Sequence, residues 1–196
     1  MNFAQLNEVK ESLLKSFSEC PLSKSCETKI FDKQMSDYDK PLAVVYDNVK
    51  NCPIDGNNGR WDGERGNSNW YPDPDFVPGK ANPEGKTWSE ILNKYSIDHI
   101  PFRDGEPDFS EISKGTVEIE QFSDSRTDNF DKADIELAKQ KVCTPEEVAK
   151  WRKDNGYTWH ECKDMKTMQK VPSEVHNNIT HSGGISEAKK VSGDNI

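Results

Sequence analysis

Three of the four histidines in the 196-residue chain, His160, His176 and His181, lie in one C-terminal segment, and Glu161 directly follows the first of them. Imidazole nitrogens with a carboxylate form a ligand set for a divalent ion, and an ion held by so few protein groups keeps open coordination positions. There it can hold a phosphate and stabilise a leaving oxygen. A histidine standing alone on a small domain is more often a surface or hydrogen-bonded residue. Three within one supersecondary unit, beside an acidic residue, shift the reading to a metal site.

The local pattern supplies that unit. Tyr157 to Glu161 is β-favouring, Lys163 to Lys166 reads as a turn, and Thr167 to Val171 reads as a second strand. Pro172 ends it, and Ser173 is expected to cap a helix that Gly183-Gly184 terminates. A hairpin packed on that helix brings the three histidines toward one point. Two spacings constrain the geometry. His160 and Glu161 are strand neighbours, so they point to opposite faces unless the strand breaks there. His176 and His181 would be separated by about 140° on an ideal helix, so sharing an ion requires His181 in an unwinding last turn.

Upstream, Phe3, Leu6, Leu13 and Phe17 mark an amphipathic helix over residues 2–17, and Leu42 to Val49 reads as a strand. Residues 51–86 are rich in Gly, Pro, Asn, Asp and Trp, which predicts no regular elements. Thr87 with Glu90 is a capping-box start for a helix through about Tyr95. Ile97 to Phe102 and Thr116 to Phe122 read as strands, and a further helix opens at Asp128. Thr144, Pro145 and Glu147 start another, which Asn155-Gly156 closes.

Composition bounds what these elements can build. Leu, Ile, Val and Phe make up less than a fifth of the chain, which excludes a large aliphatic core. Five Trp and five Tyr argue against disorder, so the expected fold is loop-rich and closed over aromatic anchors. No apolar stretch is long enough for a membrane span and no signal-peptide pattern opens the chain, so a soluble protein without membrane insertion is expected. The net charge of -9 would argue against a nucleic-acid partner. It is unevenly distributed: residues 150–196 carry eight Lys or Arg against six Asp or Glu, and the first 149 carry 18 against 29. Five cysteines without close repeated pairing exclude a disulfide scaffold. Cys20, Cys26 and Cys52 are read as ordinary thiols, because a structural zinc site needs four closely spaced ligands.

The segment from Tyr157 to Gly184 also carries an ordered set of motifs: Thr158-Trp159-His160-Glu161, Met168-Gln169-Lys170-Val171-Pro172, His176, and His181-Ser182-Gly183-Gly184. It resembles the bacterial toxin nucleases of the HNH/endonuclease VII superfamily, in the branch named for a Trp-His-His motif. Weaker similarity extends upstream through Gly59 to Ser68, Pro107-Asp108-Phe109-Ser110 and Arg126 to Phe130, and residues 1 to about 50 are not covered. The resemblance implies an α+β fold, with a ββα-metal (His-Me finger) nuclease unit at about residues 156–184. A loop-rich α+β extension would precede that unit within a domain over 51–196, and residues 1–50 would form a helix and connector.

The implied function is a metal-dependent endonuclease, read as a DNase, cleaving phosphodiester bonds as the toxin domain of a contact-dependent or secreted bacterial competition system. It would be delivered by a larger secreted carrier or secretion apparatus, act in the target-cell cytoplasm, and be neutralised by a cognate immunity protein. His160, His176 and His181 would hold one divalent ion (Zn, Mg, Mn or Ni). Where the family has a second histidine this chain has Glu161. Either Glu161 is the general base, or His160 is the base and Glu161 helps hold the ion. Cys162, where a further histidine is common, is read as a bystander. An RNase on the same fold and a noncatalytic zinc-stabilised binding module are the competing readings.

Arg126, Arg65 and Lys170 are candidates for gripping substrate phosphates, and Arg60 belongs with them. Arginines in a Gly-rich acidic segment more often pair with carboxylates and hold loops. Asp98-His99 imitates the start of other HNH motifs, but no hairpin and histidine-bearing helix follow it at the right distance.

Overall fold

Aromatic side chains organise the first half of the fold. The computed structural model describes residues 48–193; the helix expected over residues 2–17, Cys20 and Cys26 lie outside the described residues. Of the strand expected over Leu42–Val49, only the last two residues are described, and they are helical. Strand β1 (Gly59–Trp61) pairs antiparallel with β2 (Asn69–Pro72), placing Trp61 opposite Trp70. β2 pairs with β3 (Ile100–Arg103), which turns back into the short β4 (Glu106–Pro107), giving the sheet order β1-β2-β3-β4. The ring of Trp61 lies 5.2 Å from that of Trp70, tilted against it, and 4.9 Å from that of Phe102, with the edge-on geometry that aromatic quadrupoles favour.

This corrects the expectation that residues 51–86 hold no regular element. Local composition disfavours strands there, but the cross-strand tryptophan pair and the area it buries outweigh propensity. Gly59 shows the same tertiary control, since a Cβ on it would stand 2.4 Å from the Trp70 ring. Helix α1 (Trp88–Lys94) packs Trp88, Ile91 and Leu92 into this core, and the Thr87–Glu90 capping box forms as the sequence predicts. Strand β3 begins three residues later than predicted. The chain leaves α1 through Ser96 in the left-handed region, and Ile97 N–H closes back onto Leu92 O.

The second half is regular. β5 (Thr116–Glu118), β6 (Tyr157–Glu161) and β7 (Thr167–Pro172) form an antiparallel sheet in the order β5-β7-β6. Helices α2 (Arg126–Lys141) and α3 (Pro145–Asp154) join β5 to β6. Val117, Ile119, Ala133, Leu137, Ala138, Val148, Trp159 and Met168 make the core of this half. The strand predicted through Phe122 stops at Glu118, and Gln121 turns the chain in the left-handed region. α2 starts at Arg126, two residues before the predicted Asp128, because Ser125 is the cap and accepts from Asp128 N–H. α3 starts as predicted, with Pro145 in its first turn and the Thr144–Glu147 capping box formed.

After β7 the helix is only one turn, α4 (Ser173–His176), and Ser173 is its first residue rather than its cap. The glycine pair does not end this helix. Gly184 begins another, α5 (Gly184–Gly193). The reason is steric: a Cβ on Gly183 would stand 2.7 Å from Glu161 O, and one on Gly184 would stand 2.5 Å from Cys162 O. The two glycines let the chain cross the end of β6 in contact with its backbone. Among the described residues no helix is long and apolar enough to cross a membrane.

Candidate metal centre

Alternation along β6 decides which side chains meet. Trp159 and Glu161 face α2: Trp159 Nε1–H donates to Asp134 at 2.8 Å, and Glu161 Oε1 accepts from Asn129 Nδ2 at 2.9 Å. His160 faces the other way, toward α4 and the segment that follows it. The strand does not break at Glu161, so the carboxylate and the imidazole take opposite faces.

On the face of His160 the three imidazoles converge. Their ring centroids lie 5.0–5.3 Å apart, and His160, His176 and His181 form a cluster whose candidate ligand atoms are all within 4.8 Å of one another. His181 reaches the cluster from the irregular stretch after α4, not from a helical turn. Phe109 stands behind all three, its centroid 5.0, 5.6 and 6.1 Å from those of His160, His176 and His181.

The protonation pattern follows from the partners. His176 Nδ1 lies 3.2 Å from Asn177 Oδ1, and His181 Nδ1 lies 2.8 Å from Ile179 O. Both partner atoms are oxygen acceptors, so each Nδ1 carries the proton and each Nε2 presents a lone pair. His160 Nδ1 sits 3.2 Å from His176 Nε2. Two nitrogens on one tetrahedral zinc, each at about 2.0–2.1 Å, stand about 3.3–3.4 Å apart, so the pair already has the spacing of ligands on a shared ion. Burial pushes the His176 pKa well below that of a free imidazole, and the His160 and His181 charges add to this. Burial, followed by the charge of His160, pushes that of His181 down to about 3. His176 and His181 are therefore held as neutral imidazoles, the form that binds a metal. The donor set fits a borderline divalent ion with open positions.

Long-range side-chain ties hold α4, which is too short to be stable alone. Glu174 accepts from Lys94 Nζ at 2.6 Å and from the Tyr95 hydroxyl at 2.5 Å, joining α4 to α1. Asn178 exchanges two hydrogen bonds with the backbone of Lys80, and Asn51 Nδ2 donates to Ser182 Oγ. The histidines open into a cleft of about 650 Å³ that is also lined by Lys80, Arg126, Glu161, Ile185 and Ser186.

At the rim, Arg126 Nε–H donates to Glu161 Oε2 at 3.1 Å. Burial raises the Glu161 pKa, while Asn129 and Arg126 oppose the rise. Arg65 is placed elsewhere: its guanidinium donates to the carbonyls of Pro53 and Cys52 and braces that loop, using backbone oxygens rather than carboxylates. Lys170 Nζ lies 4.3 Å from the Trp151 ring centre, in a separate apolar groove with Leu137 and Val148. Arg60 stacks on Tyr71. His99 pairs with Asp98 and packs on Tyr71, and it belongs to neither candidate ligand cluster among the described residues. Cys52, Cys143 and Cys162 are free thiols.

Four side chains around the centre were not singled out by spacing: Glu106, Phe109, Asn129 and Asp134. Phe109 and Asn129 lie within the segments of weaker upstream similarity, which is the signal that points to them. Asp134 is buried and holds both Trp159 Nε1 and the Arg152 guanidinium, fixing β6 against α2 and α3.

Residues 100–183 match the family model described as the DNase/tRNase domain of colicin-like bacteriocin. The match spans β3 to the loop before α5 and includes all three clustered histidines, Glu106, Arg126 and Glu161. It supports a toxin nuclease of the colicin-like type. No curated protein matches the chain.

Proposed function

We propose that the chain is a metal-dependent endonuclease toxin in which β6, β7 and α4 act as a ββα-metal unit of the HNH, Trp-His-His type. The observation that carries the reading is the convergence of the His160, His176 and His181 imidazoles on one point of an open cleft. His160, His176 and His181 hold one divalent ion there. When bound, the ion supplies Lewis-acid stabilisation of charge on the scissile phosphate and the leaving oxygen.

The chain's own residues do the rest. Glu161 takes the proton of the attacking water, its raised pKa making it a stronger base than an exposed carboxylate. Asn129 and Arg126 fix its orientation through one oxygen each. Among the described residues the Arg126 guanidinium forms no other hydrogen bond, so its terminal nitrogens face a phosphate oxygen at the cleft mouth, with Lys80 supplying a second cation. Arg65 and Lys170 brace their own surroundings and lie outside the cleft.

DNA is the proposed substrate. The domain would be delivered to a rival cell by a larger secreted carrier and held inactive in its producer by a cognate immunity protein. Incubation with supercoiled plasmid and with tRNA, each with and without chelator, tests the reading. Chelator-sensitive plasmid cleavage that is lost in His160→Ala and Glu161→Gln is expected. Cleavage of tRNA alone would make the chain an RNase. Chelator-induced unfolding without cleavage of either nucleic acid would make it a metal-stabilised binding module.

A further inference from the structure

Two of the three imidazoles have their outer nitrogen anchored by an oxygen: His176 by Asn177 and His181 by Ile179. The third lacks an equivalent hydrogen bond. His160 is 1% exposed, and its Nε2 is buried without a hydrogen-bond partner among the described residues. An unpaired buried N–H is costly, and the acceptor facing it is Glu106 Oε1 at 3.5 Å. This distance is just beyond hydrogen-bond reach, and a small side-chain adjustment closes it. The carboxylate is itself held in place, because Oε1 accepts from Lys163 N–H at 2.7 Å and Lys163 Nζ binds Asp104 O at 2.6 Å. These bonds tie the β3–β4 turn to the β6–β7 turn, across the back of His160.

We propose that Glu106 is a positioning residue of the metal centre: it accepts the Nε2 proton of His160 and thereby makes Nδ1 the ligand atom. The inference rests on the reading of His160, His176 and His181 as ligands. With Nε2 protonated, the Nδ1 lone pair faces His176 Nε2, which presents a lone pair of its own. Two lone pairs at 3.2 Å repel unless a cation or a proton lies between them, so the arrangement is built for an ion. A carboxylate behind a ligating imidazole also raises its basicity and holds its ring, as carboxylate–histidine–metal triads do. The sequence gives no hint of this role, because Glu106 lies far from the motif and reaches it only through the pairing of β3 with β4.

Glu106, His160 and Cys162 also lie close enough to hold an ion among themselves. Burial, together with Glu106, Asp164 and Asp108, raises the Cys162 pKa, so a thiolate there would have to be stabilised by the ion itself. An ion there and another at the histidine cluster would have to share His160 as a bridging imidazolate.

The test uses the full chain, zinc titration against a competing chelator, and long-range proton–nitrogen spectra of the histidine rings. The expected result is one zinc per chain, with His160 protonated at Nε2 in both the zinc-free and zinc-loaded protein. Glu106→Ala is expected to weaken zinc binding by about 10–100-fold and to give His160 a mixture of tautomers before zinc is added. Glu106→Gln, whose amide oxygen still accepts, should fall between wild type and Glu106→Ala. Zinc-free melting curves of both variants separate this from unfolding, because His160 is read only in folded protein. Unchanged zinc affinity in Glu106→Ala would overturn the proposal, as would coordination through His160 Nε2 or a second zinc lost in Cys162→Ala. If wild-type protein binds no zinc, the metal centre falls as well; if it binds zinc without dependence on Glu106, only this proposal falls.

Discussion

The two halves of the described fold solve the same problem by different means. Around β1–β4 the core is a cluster of rings, Trp61, Trp70, Trp88, Phe102 and Phe109, joined by short strands and loops pinned by Asn, Asp and Arg side chains. Around β5–β7 it is smaller and mostly aliphatic, with Ala133, Leu137, Ala138, Val148 and Met168 packed around Trp159 between two capped helices and a sheet. The three clustered histidines belong to neither half alone. His160 comes from the regular sheet, while Val171, Val175 and Ile179, which carry the α4 segment, are buried in the aromatic core. Phe109 contacts all three imidazoles from the loop-rich side. A site at such a seam is well formed only if both halves are.

The largest expected effect lies within the site and leaves both halves intact. Glu161→Gln should lower the cleavage rate by about 10²–10⁴-fold at unchanged zinc affinity, if the regular half supplies the base and the seam supplies the ion. An equal loss of zinc binding would show that Glu161 belongs to the ligand set.

Next is a break in the regular half. Asp134→Ala leaves the Arg152 charge buried and unpaired and strips Trp159 of its acceptor, so urea unfolding should show a loss of about 3–5 kcal/mol. Trp70→Ala in the aromatic half should cost a similar amount, about 3–5 kcal/mol. If the halves form one cooperative unit, tryptophan fluorescence and far-ultraviolet circular dichroism will report the same midpoint in both variants. Separate midpoints would mean that the halves unfold independently.

The smallest structural perturbation is at a cap: Thr144→Ala should cost about 1 kcal/mol and leave zinc binding unchanged, since α3 does not touch the cleft.

A pH titration tests the seam directly. The His176 and His181 pKa values are lowered in the folded state, so the unfolded chain binds more protons below about 6.5. Metal-free stability should be complete above that pH and decline as pH falls toward about 3, the region to which His181 is pushed. Stability that stays flat across this window would mean that the imidazoles are not held apart from solvent.

Much of the site was legible in the chain because its elements are local. The β6–β7 hairpin, the capping boxes at Thr87 and Thr144, and the presence of three histidines on one unit follow from residue type and short spacing, and those forces act between near neighbours. The one-turn length of α4 was not legible. Gly183-Gly184 reads as a helix stop by local rules, yet it serves as a close crossing over Glu161 and Cys162, whose carbonyls are brought there by the sheet. Likewise β1 and β2 form in a segment whose composition argues against them, because their Trp61–Trp70 pair is completed by a ring from β3, Phe102.

The sequence by itself determined the candidate ligand types, the hairpin that carries His160, and the alternation that sends His160 and Glu161 to opposite faces. Tertiary structure decided that Glu161 is held by Arg126 and Asn129, that His181 joins from an irregular segment, and that Glu106 and Phe109 stand behind the imidazoles. The physical reason is range. Periodicity and capping are settled within a turn or two of chain, whereas the tautomer and spacing of a ligand depend on groups that pair only when distant segments pack.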